Sequence, residues 1–252
     1  MQLSISAIKL FKACRRAYEL RYVYKVTPIQ TSEALETGLN YHKMIEDFET
    51  TGKLPELTSK EAAMAMAYAK YIHKDMPMFT PEQWFERKIS RGRQLIGRLD
   101  GVSIDNKAVI EHKTTSVNSI DEYEYDLQLD EQLMAYLMAT GFNTVYYTVC
   151  RKPMLRQKQN ETIEEFSERC FEWFGDDTYD KIRLIKVFRT DEEIEAFRDE
   201  LRMIFKQVSD AEKHGLFYRN TCHCKAWGRK CEYASICLHY DPEEEYIGFE
   251  KG

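Results

Sequence analysis

The chain has 252 residues, with 36 Lys plus Arg against 42 Asp plus Glu, 43% hydrophobic residues and a net charge of −6. Eleven Gly and six Pro are too few for a collagen-like or low-complexity chain, and the apolar content is too high for a disordered one, so the composition describes one α/β or α+β unit with a sizeable core. The acidic balance excludes passive coating of nucleic acid by the whole surface, yet leaves open a local basic groove or phosphate contacts bridged by metal. No apolar run approaches the ~18–20 residues of a membrane span, and Lys9, Lys12, Arg15 and Arg16 interrupt the N-terminal stretch. A soluble, intracellular protein with no membrane partner is expected.

Ser4 or Ser6 caps a first helix whose apolar positions Ile8, Phe11 and Tyr18 recur at helical spacing, which places Cys14 on a helix. A second helix is predicted from Ser32 to Phe48 with His42 near its middle, and a third opens at Thr58, with Glu61 in capping-box position, and runs toward Asp75. Three helices thus precede any strand. From Trp84 the period becomes strand-like: Trp84 to Ser90, Leu95 to Ile104 and Lys107 to Thr115 read as a meander with turns at Arg91-Gly92 and Asp105-Asn106. A helix from Asp126 to Thr140 ends at Gly141, and the β-rich Thr144 to Cys150 follows. Next come a short helix around Glu161 to Phe174, a strand from Ile182 to Phe188, and a helix opened by the capping box Thr190 and Glu193 and running to His214. The acidic tail after Asp241 is expected to be loose, and no internal repeat is present.

The meander carries the chemistry. If Asp105 and Asn106 form a two-residue turn, Ile104 faces Lys107 and Asp100 falls opposite Glu111. Directly opposed side chains have Cβ atoms ~5 Å apart, where like charges destabilise a sheet unless a cation lies between them. Period two puts Lys113 on the face of Glu111, and the backbone carbonyl of the intervening His112 is a hard oxygen ligand. Such oxygens suit Mg²⁺ or Mn²⁺, which polarises a phosphoryl group and activates water, while a lysine orients the water or stabilises the pentacovalent charge. That is the chemistry of phosphodiester hydrolysis. The same residues also suit a solvated surface hairpin in which Lys113 neutralises both acids.

Two further readings stand beside this one. His42 can supply an imidazole ligand to the same metal or be an ordinary half-buried helical histidine. Gln132 and Tyr136, four residues apart, share a helix face and can contact phosphate or base, or simply form a polar stripe. Of the seven cysteines, Cys222, Cys224, Cys231 and Cys237 crowd into sixteen residues. An odd count without a recognisable leader speaks for a metal or cluster rather than a disulfide framework. Cys150 and Cys170 read as small core residues.

Taken in order, Cys14, His42, Gly97 to Asp100, Glu111 to Lys113, Gln132 to Tyr136 and Cys222 to Cys237 make the sequence resemble the RecB-like branch of the PD-(D/E)XK nuclease superfamily over nearly the whole chain. Phage-encoded exonucleases and CRISPR-associated adaptation nucleases are relatives of that kind. The resemblance implies a restriction-endonuclease-like α/β core, a central mixed sheet flanked by helices, in a single nuclease domain over residues 1–252. Its parts would be a helical region at 1–80, the nuclease core at 81–215, a cysteine segment at 216–240 and the acidic tail at 241–252. It implies that His42, Asp100 and Glu111 hold the metal, that Lys113 is catalytic, and that Gln132 and Tyr136 support substrate binding.

It also implies that Cys14 joins Cys224, Cys231 and Cys237 around a [4Fe-4S] cluster, with Cys222 the alternative to Cys224 and zinc the alternative to the cluster. The function so implied is metal-dependent exonuclease action on single-stranded DNA or DNA ends, in phage or bacterial DNA recombination, repair or processing in the cytoplasm. A non-catalytic DNA-binding or scaffolding subunit and a site-specific endonuclease are the alternatives. No Walker loop accompanies these motifs, so unwinding would fall to a helicase or recombination partner.

Overall fold

The computed structural model describes residues 1–29, 33–228 and 230–252; Ser32, where the second helix was expected to start, and Arg229 of the cysteine segment lie outside them. Strand β1 (Gln2–Ser4) leads into α1 (Ile5–Ala13), whose first turn Ser4 caps by accepting from the Ala7 N–H at 3.2 Å. Cys14 then leaves helical space (φ −160°, ψ 112°) before α2 (Arg15–Tyr18), so it sits in an extended break and not on a helix. The cause is distant. Asn220 Nδ2 donates to the Ala13 carbonyl at 2.8 Å, and the Asn220 N–H approaches Cys14 Sγ at 3.4 Å. Strand β2 (Val26–Pro28) follows, so short strands lie among what were expected to be helices alone.

Helix α3 (Glu33–Thr51) carries His42 at mid-length. Helix α4 (Lys60–Ala67) is capped by Ser59 rather than Thr58, through the Ala62 N–H at 3.0 Å. The single expected helix toward Asp75 widens after Ala67 into a π turn over Tyr68–Ile72 and a 3₁₀ turn over His73–Asp75. Strands β3 (Thr80–Ser90), β4 (Arg93–Ser103) and β5 (Ala108–Thr115) follow as the meander predicts. A separate α5 (Ile120–Asp126) precedes the helix expected from Asp126 to Thr140, which begins only at Glu131 as α6 (Glu131–Thr140). Asp130 leaves helical space between them and caps α6, accepting from the Gln132 N–H at 2.9 Å, and Gly141 ends α6 at φ +75°.

Strand β6 (Thr144–Arg151), helix α7 (Ile163–Glu172), strand β7 (Ile182–Phe188) and helix α8 (Asp191–His214) then come in the order the sequence indicates. Reciprocal Thr190–Glu193 hydrogen bonds open α8. The tail is not loose at its end, because β8 (Phe249–Lys251) pairs antiparallel with β2. No helix among the described residues is long and apolar enough to cross a membrane.

The chain divides into two units. In the larger, residues 33–85 and 98–195, the strands run in the order β4-β5-β6-β7, with β5 and β6 parallel and the outer pairings antiparallel. This is the mixed sheet of an α/β fold, with β5 and β6 at its centre. Tyr41, Ile45 and Phe48 of α3 bury themselves with Met64 of α4, Tyr68, Phe174 and Cys150. Cys170 fills a smaller cluster with Ala63 and Phe166. The smaller unit, residues 1–32, 86–97 and 196–252, pairs β1 in parallel with the first part of β4 and buries Cys14, Leu20 and Val26 with Tyr233 and Ile236.

Gly101 is required by close packing. A Cβ there would lie 2.4 Å and 2.7 Å from ring atoms of Phe79, whose ring centroid is 6.1 Å from that of His112. Gly101→Val is therefore expected to lower stability by about 2–3 kcal/mol through overpacking beneath the residues described next. A denaturant melt measures this, and an unchanged midpoint would mean that Phe79 swings clear.

Candidate active site

The β4–β5 hairpin turns over residues 104–107, with the Lys107 N–H donating to the Ile104 carbonyl at 3.1 Å. Its register pairs Ser103 with Ala108, Val102 with Val109 and Gly101 with Ile110. One step outward brings Asp100 beside Glu111. There the side chain takes over from the backbone, and Asp100 Oδ2 accepts the His112 N–H at 2.8 Å. His42 of α3 reaches the other oxygen, with Nδ1 3.3 Å from Asp100 Oδ1. Because β5 is paired on both sides in the centre of the sheet, Glu111 is only 2% exposed.

Lys113, two residues on, ion-pairs with Glu111 and donates to Gln132 Oε1 at 2.9 Å. Gln132 Nε2 donates to Tyr136 Oη at 2.7 Å, and Tyr136 in turn donates to the Arg98 carbonyl at 2.8 Å. A phenol has one proton to give, so the relay has a single direction from Lys113 to the β4 backbone two residues before Asp100. Gln132 and Tyr136 thus engage the lysine and a backbone carbonyl. Gln132→Ala is expected to lower kcat by about 10–100-fold with little change in KM, as loss of an orienting partner does. An effect confined to KM would assign the pair to substrate contact instead.

The electrostatics divide the two acids. Burial raises the pKa of Asp100, but the hydrogen bond and charge of His42, then His112 and Lys113, outweigh it and hold the carboxyl low. Glu111 is pushed up, first by burial and then by the charge of Asp100, with Lys113 only partly opposing. Burial would lower Lys113, yet Glu111 and Asp100 keep it raised and protonated. The His112 ring points away into the core, with Nδ1 2.6 Å from Thr148 Oγ1, and burial drops its pKa to about 4.

No group of three or more His, Cys, Asp or Glu side chains among the described residues is drawn together as a metal shell. The donor chemistry nevertheless fits a hard divalent cation. Two carboxylates face each other in a dry site, and both Glu111 oxygens are buried without an aligned hydrogen bond, although Lys113 is ion-paired to one of them.

Three further residues border the site and carry no motif that spacing could reveal. Glu82, Arg98, His42, Lys113 and Leu39 line a cleft of 340 Å³. Glu82 lies on β3 at φ +54°, a backbone state that no sequence pattern announces for a glutamate. Arg98 pairs with it, and exposed Trp84 flanks Arg98.

Cys14, Cys222, Cys224, Cys231 and Cys237 all belong to the smaller unit. Burial raises the Cys231 thiol, and the proximity of Cys14 and Cys224 raises it further. Burial also raises Cys237, which feels Arg16 and then Cys14. The Cys231 N–H donates to the Cys224 carbonyl at 2.9 Å, whereas Cys222 is exposed. These thiols influence one another electrostatically, but no three of them are drawn together as a metal shell among the described residues.

No curated protein matches the chain. Among solved structures, a phage-related exonuclease from Haemophilus somnus 129PT is 11% identical, with 68% of this chain and 82% of that one covered at a TM-score of 0.37. An alkaline exonuclease from Laribacter hongkongensis is 14% identical, with 85% and 93% covered at a TM-score of 0.37. The family profile of the PD-(D/E)XK nuclease superfamily matches residues 2–91 and 55–238, and the chain belongs to that superfamily.

Proposed function

We propose that this nuclease is a metal-dependent exodeoxyribonuclease of the RecB-like branch, acting on single-stranded DNA or DNA ends. The observation that carries the reading is the pairing of Asp100 with the buried Glu111, with the Lys113 ammonium drawn onto it. Asp100, Glu111, the His112 carbonyl and His42 would hold Mg²⁺ or Mn²⁺, which when bound polarises the phosphoryl group and lowers the pKa of water. Lys113 is held protonated by Glu111 and Asp100 against the effect of burial. It orients water or donates to the phosphoryl oxygens as their charge grows. Gln132 and Tyr136 hold its direction.

The same reading gives Cys14, Cys224, Cys231 and Cys237 a structural [4Fe-4S] cluster, supported by the electrostatic influence of Cys14 and Cys224 on the Cys231 and Cys237 thiols. One nuclease domain then spans the chain, with the cysteine segment tied back to Cys14. Work on duplex DNA in the bacterial or phage-infected cytoplasm would call on a separate helicase or recombination partner.

Anaerobically prepared protein, Mg²⁺ or Mn²⁺, end-labelled linear DNA and closed single-stranded circles make the test. Linear DNA is expected to be degraded from its ends while circles persist. Rapid linearisation of circles would move the assignment to endonuclease, and cleavage of neither would leave a DNA-binding subunit.

A further inference from the structure

We propose that Arg98, Trp84 and Glu82 form a strand-holding subsite beside the nuclease centre. In it, a DNA phosphate takes the Arg98 guanidinium from Glu82, and the neighbouring unpaired base stacks on the open face of Trp84. The inference rests on the reading of the centre as a deoxyribonuclease and narrows its substrate to a single strand at this point.

The geometry of Arg98 is unusual for a structural arginine. Its backbone is fixed, because its carbonyl accepts from Tyr136 at 2.8 Å, while its side chain is 52% exposed at the cleft. Its Nε lies 2.6 Å from Glu82 Oε2, yet that oxygen has no aligned hydrogen bond. The pair is thus held mainly by charge, and a phosphate, which offers the planar guanidinium two oxygens in the geometry it prefers, is a competent rival. Glu82 also feels the like charges of Asp100 and Glu46, which His42 and Arg98 oppose. Glu82 is 16% exposed and occupies φ +54°, a sparsely populated state for a residue with a side chain.

Trp84 completes the subsite. The Arg98 guanidinium lies 5.8 Å from its ring centroid, and the indole is still 76% exposed. An exposed indole flanked by a cation is the pairing on which unpaired bases stack with little regard to sequence. Bases inside a duplex already stack on their neighbours and offer no such face, and a cleft of 340 Å³ is on the scale of a small-ligand pocket rather than of a double helix. His42 and Lys113 line the same cleft, so a phosphate on Arg98 stands next to the catalytic groups.

Anisotropy of a fluorescein-labelled single-stranded oligonucleotide, titrated with protein in EDTA over a range of NaCl concentrations, tests this without cleavage. Arg98→Gln is expected to weaken binding and to reduce the log–log salt slope by about 0.7, the contribution of one phosphate on a single strand. Arg98→Lys is expected to restore the slope. Trp84→Ala is expected to weaken single-strand binding by about tenfold with the slope unchanged, Trp84→Phe to recover most of it, and duplex binding to be indifferent to either. Glu82→Gln, by releasing Arg98, is expected to tighten binding.

An unchanged slope in Arg98→Gln, equal losses on duplex and single strand in Trp84→Ala, or wild-type protein that binds no oligonucleotide would overturn the subsite. The two readings fail separately. An Arg98-dependent slope in a protein that cleaves nothing with Mg²⁺ or Mn²⁺ would remove the nuclease reading and keep the subsite, and cleavage with an Arg98-independent slope would do the reverse.

Discussion

Glu111→Gln is expected to lower the rate of DNA cleavage by about 10³-fold or more and, in metal-free protein near pH 8, to raise the melting temperature by about 3–6 °C. The loss follows from removing one of the two carboxylates that face the candidate metal position. The gain follows from the raised pKa of Glu111, caused first by burial and then by Asp100. A folded-state pKa above the unfolded value means that the folded protein favours the protonated acid. That contribution is complete below the unfolded carboxylate pKa, ~4.3, and is lost as pH rises through the folded value.

Glutamine, neutral throughout, escapes the loss. Asp100 runs the other way, since its depressed pKa gives stability above the unfolded value that disappears as pH falls through the folded one. Melting curves in EDTA at mildly acidic and mildly alkaline pH, repeated with Mg²⁺, separate the two groups. Bound Mg²⁺ should stabilise wild type at alkaline pH and have little effect on Glu111→Gln. A Gln variant that melts below wild type at pH 8 in EDTA, or that still cleaves DNA, contradicts this account of the site.

The other large effect concerns Cys14. If it shares a cluster with Cys224, Cys231 and Cys237, the cluster closes a loop of more than two hundred residues and restricts the unfolded chain. Protein isolated without oxygen should be brown and absorb broadly near ~400 nm. Cys14→Ser should bleach it and lower the melting temperature by about 10 °C or more, since several kcal/mol are at stake at roughly 2–4 °C each. Cys222→Ser, at an exposed position, should change neither. Colourless wild type carrying one zinc per chain would replace the cluster with zinc, and full stability in Cys14→Ser would remove the clasp altogether.

What could be read in advance divides along the range of the forces involved. The strand Ile182–Phe188, the Thr190–Glu193 box and the hairpin register that brings Asp100 to Glu111 are set by residues within a few positions of one another, and each is legible as spacing. Cys14 is not, because the extended break around it is supported by Asn220, which is 206 residues away in sequence. β1, β2 and β8 have three residues each, too short for an alternating pattern, and exist through their pairing partners.

At the candidate site, Asp100, Glu111, Lys113 and His42 stand out by residue type, whereas the border of Glu82, Arg98 and Trp84 does not. Charged residues and an indole on strands look like ordinary surface, and only the fold brings Glu82 and Arg98 to one cleft with Trp84 against Arg98. The direction of the Gln132–Tyr136 relay was hidden for a related reason. Helical spacing tells which residues share a face, but not that the face turns inward to a lysine and a carbonyl.

The hydrogen bonds from Asn220 to Ala13 and from Tyr233 to Val26, and the pairing of Pro28 with Phe249, each span more than two hundred positions. A ribosome adding about 5–20 residues per second delivers the later partner roughly ten seconds or more after the earlier one. During that interval residues 98–195 can already assemble around β5 and β6, while Cys14, Leu20 and Val26 wait without the neighbours that bury them. Birth of the protein therefore includes a period in which an oxidisable thiol and sticky aliphatic groups are open to the cell. Chaperone occupancy at that stage becomes a determinant of yield, independent of how stable the finished molecule is.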